Sequence, residues 1–138
     1  MADLVRFGVS MDRALLAALD DIVRRRGYGN RSEAIRDLIR AERVRESWES
    51  ATGPVVGVLT LLYDHRVREA DERLTELQHE HEDLVHSTMH VHLTRRMCLE
   101  VIVMRGEARR IQRLADRLIA GRGVKHGRLV ATSAEELP

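Results

Sequence analysis

Between Val5 and Met11 apolar side chains alternate with polar or small ones: Val5, Phe7, Val9 and Met11 against Arg6, Gly8 and Ser10. A period of two predicts a half-buried strand. The period then changes. Asp12 offers a helix N-cap, and Leu15, Leu16, Leu19, Ile22 and Val23 recur at helical spacing until Gly27 and Gly29 interrupt them. Asn30 offers a second cap, with Glu33 as its reciprocal partner in a capping box, and Ala34, Ile35, Leu38 and Ile39 form the stripe of a second helix. A lone strand leaves its backbone groups unpaired, and a module of about fifty residues buries little surface by itself. Strand–helix–helix therefore implies a dimer in which two strands pair across chains.

The periodic pattern lapses from Arg45 onward, and the pair Gly53 and Pro54 breaks the chain. The expected organisation is a first domain over 1–48, a linker over 49–54 and a second domain over 55–138. In the second domain, Val55 to Tyr63 is an apolar run suited to a buried strand. Val67, Ala70, Leu74 and Leu77 repeat as a helix. Met89, Val91 and Leu93 alternate with His90 and His92 as a strand. After a polar turn over Thr94, Arg95 and Arg96, Cys98 to Met104 forms another. Ile111, Leu114, Leu118 and Ile119 mark a helix ending at Gly121, and Val124 to Ala131 supplies a last strand. The order βαββαβ predicts an antiparallel sheet with two helices on one face, an α+β fold.

Composition alters this picture little. The 138 residues are 43% hydrophobic and 33% charged, which excludes a disordered chain, and a net charge of +1 does not by itself mark a nucleic-acid binder. Arginines crowd the first third, however, at Arg24, Arg25, Arg26, Arg31, Arg36 and Arg40. Guanidinium is the better fork for phosphate and guanine. A single cysteine, no leader-like N-terminus and no run long enough to span a bilayer place the expected location in the cytoplasm.

The candidate chemistry lies in the second domain. His79, His81, His86, His90 and His92 fall close together, and the only cysteine, Cys98, follows. His90 and His92 leave the same face of their strand, with Cβ atoms roughly 7 Å apart. Cys98 shares the parity of Glu100, opposite to Leu99, Val101 and Val103, and so is expected on a polar side beside the histidines across a hairpin. Three donors leave a fourth place that His79, from its own chain or a neighbour's, could fill. Imidazole with one thiolate suits Zn, Cu, Ni or Co rather than Mg or Ca. Four protein donors close such a site, and no HExxH, nucleophile elbow or phosphate loop is present, so sensing or structure is expected and not catalysis. In the first domain, a two-stranded ribbon fits the major groove with Arg6, Gly8 and Ser10 outward, while the helix N-terminus at Asn30, Arg31 and Ser32 grips a phosphate. His65 and His126 are isolated and read as structural.

These stretches resemble the nickel-responsive regulator (NikR) family. The closest are RGYGNRSEAIRDLIR (26–40), LQHEHEDL (77–84), MHVHLTRRMCLE (89–100) and RGVKHG (122–127). The resemblance implies a ribbon-helix-helix module, an ACT-like (ferredoxin-like) domain and a homotetramer built as a dimer of dimers on a palindromic double-stranded operator. It implies one nickel ion per subunit at the tetramer interface, held by His90, His92 and Cys98 with His79 from another subunit, and repression of nickel uptake. Tyr63 and Glu100 match positions that support those ligands, and Glu33 and Asp37 match a weaker second cation site. Gly8 stands where family members often carry Thr, which bears on the operator sequence. Glu80 and Glu82 interrupt a histidine run of some members. The competing readings are a regulator that senses a small metabolite or another transition metal through its ACT-like domain, and a metal-buffering protein or metalloenzyme.

Overall fold

The computed structural model describes residues 3–50 and 53–135, with elements α1 (Arg13–Arg26), α2 (Arg31–Ser50), β1 (Val55–Asp64), α3 (Ala70–Glu80), β2 (Val85–His92), β3 (Met97–Gly106), α4 (Ala108–Ile119) and β4 (Val124–Ser133). The chain divides into two compact units, Met1–Ala41 and Glu42–Pro138.

In the first unit the two helices start where their caps put them. Asp12 Oδ1 accepts the Leu15 N–H at 2.8 Å, and Gly27 ends α1 at φ 72°. Such a cap contributes roughly 1 kcal/mol, and the left-handed conformation is one that glycine adopts without steric cost. Asn30 Oδ1 accepts the Glu33 N–H at 2.9 Å. The reciprocal half of the capping box is displaced by one residue: the Glu33 carboxylate takes the Gly29 N–H at 3.0 Å rather than that of Asn30.

The expected strand over residues 4–11 is not formed. Residues 3–12 hold no regular structure, and Leu4, Val5, Phe7 and Val9 are exposed. The reason is physical. A strand exists through its ladder, and no described segment of this chain pairs with it.

The helix α2 continues to Ser50 although its apolar periodicity lapses from Arg45. Two local effects hold its last turns. Arg45 bridges Glu42 and Glu49 at helical spacing, and the Trp48 indole N–H donates to the Thr132 carbonyl at 3.0 Å. The indole also lies over Gly57, where a Cβ would sit 3.2 Å from its ring, 3.0 Å from Ile111 and 3.1 Å from Leu129. Glycine at 57 is what lets ring and strand approach so closely.

The second unit is the expected βαββαβ. Its sheet has the order β2-β3-β1-β4, and every neighbouring pair is antiparallel. Leu74 and Leu77 of α3 and Ile111, Leu114 and Leu118 of α4 pack with Leu59, Leu61, Ile102 and Met104 into one core on one face of the sheet. The helix α3 begins at Ala70, three residues after Val67; Val67 sits before it and packs on the core. The strand β2 begins at Val85, earlier than its alternating histidines suggested, and a bulge at its start separates Val85 from Ser87.

Candidate metal centre

The hairpin of β2 and β3 sets His92 opposite Cys98 and His90 opposite Glu100. On the other side of β3, Tyr63 of β1 is opposite Cys98 and Leu61 is opposite Glu100. One donor atom from each of His90, His92 and Cys98 lies within 4.8 Å of the others. Cys98 Sγ is 3.5 Å from His92 Nδ1, and the two imidazole centroids are 4.8 Å apart. The imidazoles are exposed while the thiol is buried. The cluster is therefore open towards solvent and backed by the core.

Cys98 and Glu100 share a face as expected, but it is not a polar side. Ile102 and Met104 have the same parity, and all four residues are buried on the face that the helices cover. Leu99, Val101 and Val103 point to the opposite face and are only half-buried. Both parities of β3 are apolar, so alternation alone could not say which one met the core.

Burial shapes the electrostatics. It pushes the Cys98 thiol above its ordinary range, and the negative charge of Asp71 adds to the effect. Burial likewise raises the Glu100 carboxyl, partly opposed by the hydrogen bond from Gln78. That bond runs from Gln78 Nε2 to Glu100 Oε1 at 3.3 Å, and Thr88 in turn donates to Gln78 Oε1 at 2.6 Å. Glu100 Oε2 is buried without a hydrogen-bond partner. Tyr63, itself buried, is driven upward by desolvation and then by its bond to Asp71. Its hydroxyl donates to Asp71 Oδ1 at 2.7 Å and lies 3.3 Å from His90 Nδ1. A cation beside Cys98 would favour the thiolate that burial disfavours. Two imidazoles and a thiol so close fit a borderline-soft transition metal.

The remaining expected site residues are placed less specifically. His79 is exposed on α3, at the rim of a cleft that also meets Gln78, Thr88 and Glu100, and is not part of the three-donor group. Glu33 and Asp37 are engaged locally, Glu33 with Gly29 and Asp37 with the Tyr28 hydroxyl. Arg6, Gly8 and Ser10 lie in the exposed segment before α1. Asn30 acts as the α2 cap, Ser32 is exposed, and Arg31 forks onto both Asp20 oxygens at 2.8 and 3.0 Å. His65 bonds the Arg95 carbonyl, and His81 Nδ1 sits 2.9 Å from the Leu77 carbonyl, as structural histidines do. Sequence reasoning missed Asp71, Gln78 and Thr88, since only the β1–β3 register and the seating of α3 bring them to the site.

Paired helices behind an N-terminal arm, followed by an antiparallel βαββαβ domain with an imidazole–thiol cluster, define a metal-site protein of two modules. Comparison with known families agrees. Residues 56–132, more than half of the chain, match the NikR C terminal nickel binding domain, and residues 5–46 match the ribbon-helix-helix protein, copG family. A relative from Geobacter sulfurreducens is 52% identical over 99% of this chain and 98% of its own length. One from Desulfovibrio desulfuricans is 52% identical over the same shares, and one from Caldanaerobacter subterraneus is 47% identical over 96% of this chain and 86% of its own. Each is named for nickel-responsive regulation. The chain belongs to the NikR family of nickel-responsive regulators, a family of transcriptional regulators and not of enzymes.

Proposed function

We propose that this protein is a nickel-responsive repressor whose metal centre controls its hold on DNA, and that its target is nickel uptake. The observation that carries the reading is the convergence of His90, His92 and Cys98 within 4.8 Å. Their donor set fits nickel, and one further ligand closes a four-coordinate site. His79 is exposed and outside the group, which favours a ligand lent to a neighbouring subunit. One nickel ion per subunit then bridges chains of a homotetramer, and Tyr63 and Glu100 support the ligands from behind.

The unpaired arm gives the second half. Alternating apolar residues that are exposed in one chain are what a ribbon buries when two chains pair. The paired ribbon presents Arg6, Gly8 and Ser10 to the major groove of a palindromic operator, with Asn30, Arg31 and Ser32 towards phosphate. Glu33 and Asp37 form the weaker second cation site once freed from their local bonds. Metal that favours one arrangement of the tetramer strengthens DNA binding, and DNA strengthens metal binding by the same factor.

Chain mixing tests the bridged site. Neither His79→Ala nor Cys98→Ala alone should show the sulfur-to-nickel charge-transfer absorption of the intact centre. Subunits of the two variants, unfolded and refolded together, should regain part of that band. A mixture as silent as its components would mean that His79 serves its own chain or none. Titration with Cu(II), Co(II) and Zn(II) beside Ni(II) separates nickel sensing from another metal, and absence of any metal signal would favour a metabolite sensor.

A further inference from the structure

We propose that Asp71 is a positioning residue of the metal centre. By accepting the Tyr63 hydroxyl proton it makes the phenol oxygen an acceptor for His90 Nδ1–H, which fixes the tautomer whose Nε2 carries the free lone pair. The inference rests on the reading that His90 is a metal ligand, and on geometry. A tyrosine hydroxyl has one proton and an ionised carboxylate has none to give. The Tyr63–Asp71 bond, at 2.7 Å, is the shorter of the two contacts and has an acceptor that cannot reverse it. The proton is thus committed to Asp71. The second contact, 3.3 Å to His90 Nδ1, is attractive only when the ring supplies the hydrogen. A neutral imidazole has one N–H, so protonation at Nδ1 leaves Nε2 as the basic nitrogen.

The surroundings suit this role. Tyr63 is 1% exposed, so its hydroxyl lacks the free choice of water partners that an exposed phenol has. Its ring meets that of His90 edge-on, at 82° and 6.0 Å between centroids. Tyr63 and His90 belong to β1 and β2, which are separated in the sheet by β3, so the phenol reaches across the strand that carries Cys98. Asp71 stands in the first turn of α3, the helix that also bears His79. Hydrogen bonds of this kind orient ligating imidazoles and raise their basicity, and their loss typically weakens metal binding 10–100-fold.

The test uses the full-length protein labelled with 15N-histidine. In the metal-free wild type at alkaline pH, long-range 1H–15N spectra should show His90 as the Nδ1–H tautomer, its signal assigned by its loss in His90→Gln. Asp71→Ala and Tyr63→Phe should each shift that signal towards the other tautomer. Asp71→Asn keeps an acceptor oxygen and should leave it in place. Nickel affinity, measured by competition with a chelator, should fall roughly 10-fold in Asp71→Ala and in Tyr63→Phe, and the double variant should be no weaker than Tyr63→Phe alone. An Nε2–H tautomer in the wild type, an unmoved signal in Asp71→Ala, or Asp71→Asn as weak as Asp71→Ala would each overturn the proposal. Failure of the wild type to bind nickel would instead overturn the proposed function, since the tautomer of metal-free His90 is read without nickel.

Discussion

Removing the side chain of Trp48 should cost the protein measurable stability in two separable parts. The indole is half-buried against Gly57, beside Ile111 and Leu129, and its N–H donates to the Thr132 carbonyl at 3.0 Å. Full truncation of a buried Trp costs about 3–5 kcal/mol, so a half-buried ring is worth roughly 2 kcal/mol. The hydrogen bond adds about 1 kcal/mol, with no large penalty for the orphaned carbonyl because β4 is an edge strand that water reaches. Trp48→Phe should therefore lose about 1 kcal/mol and Trp48→Ala about 3 kcal/mol. Gly57→Ala overpacks the same contact and should cost roughly 1–3 kcal/mol, less when Trp48→Ala has already removed one crowding neighbour. The assay is guanidinium unfolding of the metal-free protein, followed by far-UV circular dichroism at one fixed concentration, because the proposed assembly would make midpoints concentration-dependent. Equal losses in Trp48→Phe and Trp48→Ala, or strict additivity with Gly57→Ala, would refute this picture of the indole as a packed and bonded anchor.

Other perturbations have definite signs. Asp12→Ala removes the α1 cap and should cost about 1 kcal/mol in the same unfolding assay, while Asp12→Asn should cost far less. The Arg66 backbone N–H, and then the Arg66 and Arg96 guanidiniums, hold the Asp64 carboxyl below its ordinary value. A depressed carboxyl stabilises the fold above its unfolded pKa and loses that contribution as pH falls through the folded one. Urea midpoints taken from neutral pH down to about pH 3 should therefore drop less steeply in Asp64→Asn than in wild type. Glu100→Gln retires a buried, partly unpartnered carboxylate and should raise the thermal midpoint of the metal-free protein by the equivalent of about 1 kcal/mol, while weakening nickel binding.

Much of the second unit was legible because each element follows one period. The alternation of His90 and His92 on a strand, a polar turn and the parity of Cys98 with Glu100 place three donors together without any tertiary information. What alternation could not supply was the direction of the core. Leu99, Val101 and Val103 are as apolar as Ile102 and Met104, and only the seating of α3 and α4 decides between them. Asp71 and Gln78 are unremarkable helix residues until the seating of α3 sets Asp71 against Tyr63 of β1 and Gln78 against Glu100 of β3. The arm before α1 was legible as a strand by pattern, yet one chain gives it no ladder, since its pairing partner belongs to a second copy under the proposed assembly. The tail of α2 escaped a reading by periodicity because the Arg45 ion pairs and the single apolar anchor Trp48, rather than a repeating stripe, hold it.

The most direct test of the central claim is the affinity for DNA with and without nickel, in wild type and in Cys98→Ala. A palindromic site selected from random duplexes by the nickel-loaded protein serves as the probe, and fluorescence anisotropy at constant salt gives the affinity. Nickel should tighten wild-type binding strongly and leave Cys98→Ala unaffected, with the two proteins equal in chelator. Equal nickel dependence in both would contradict the assignment of the metal centre, and nickel-independent binding by wild type would contradict the claim that metal governs the DNA.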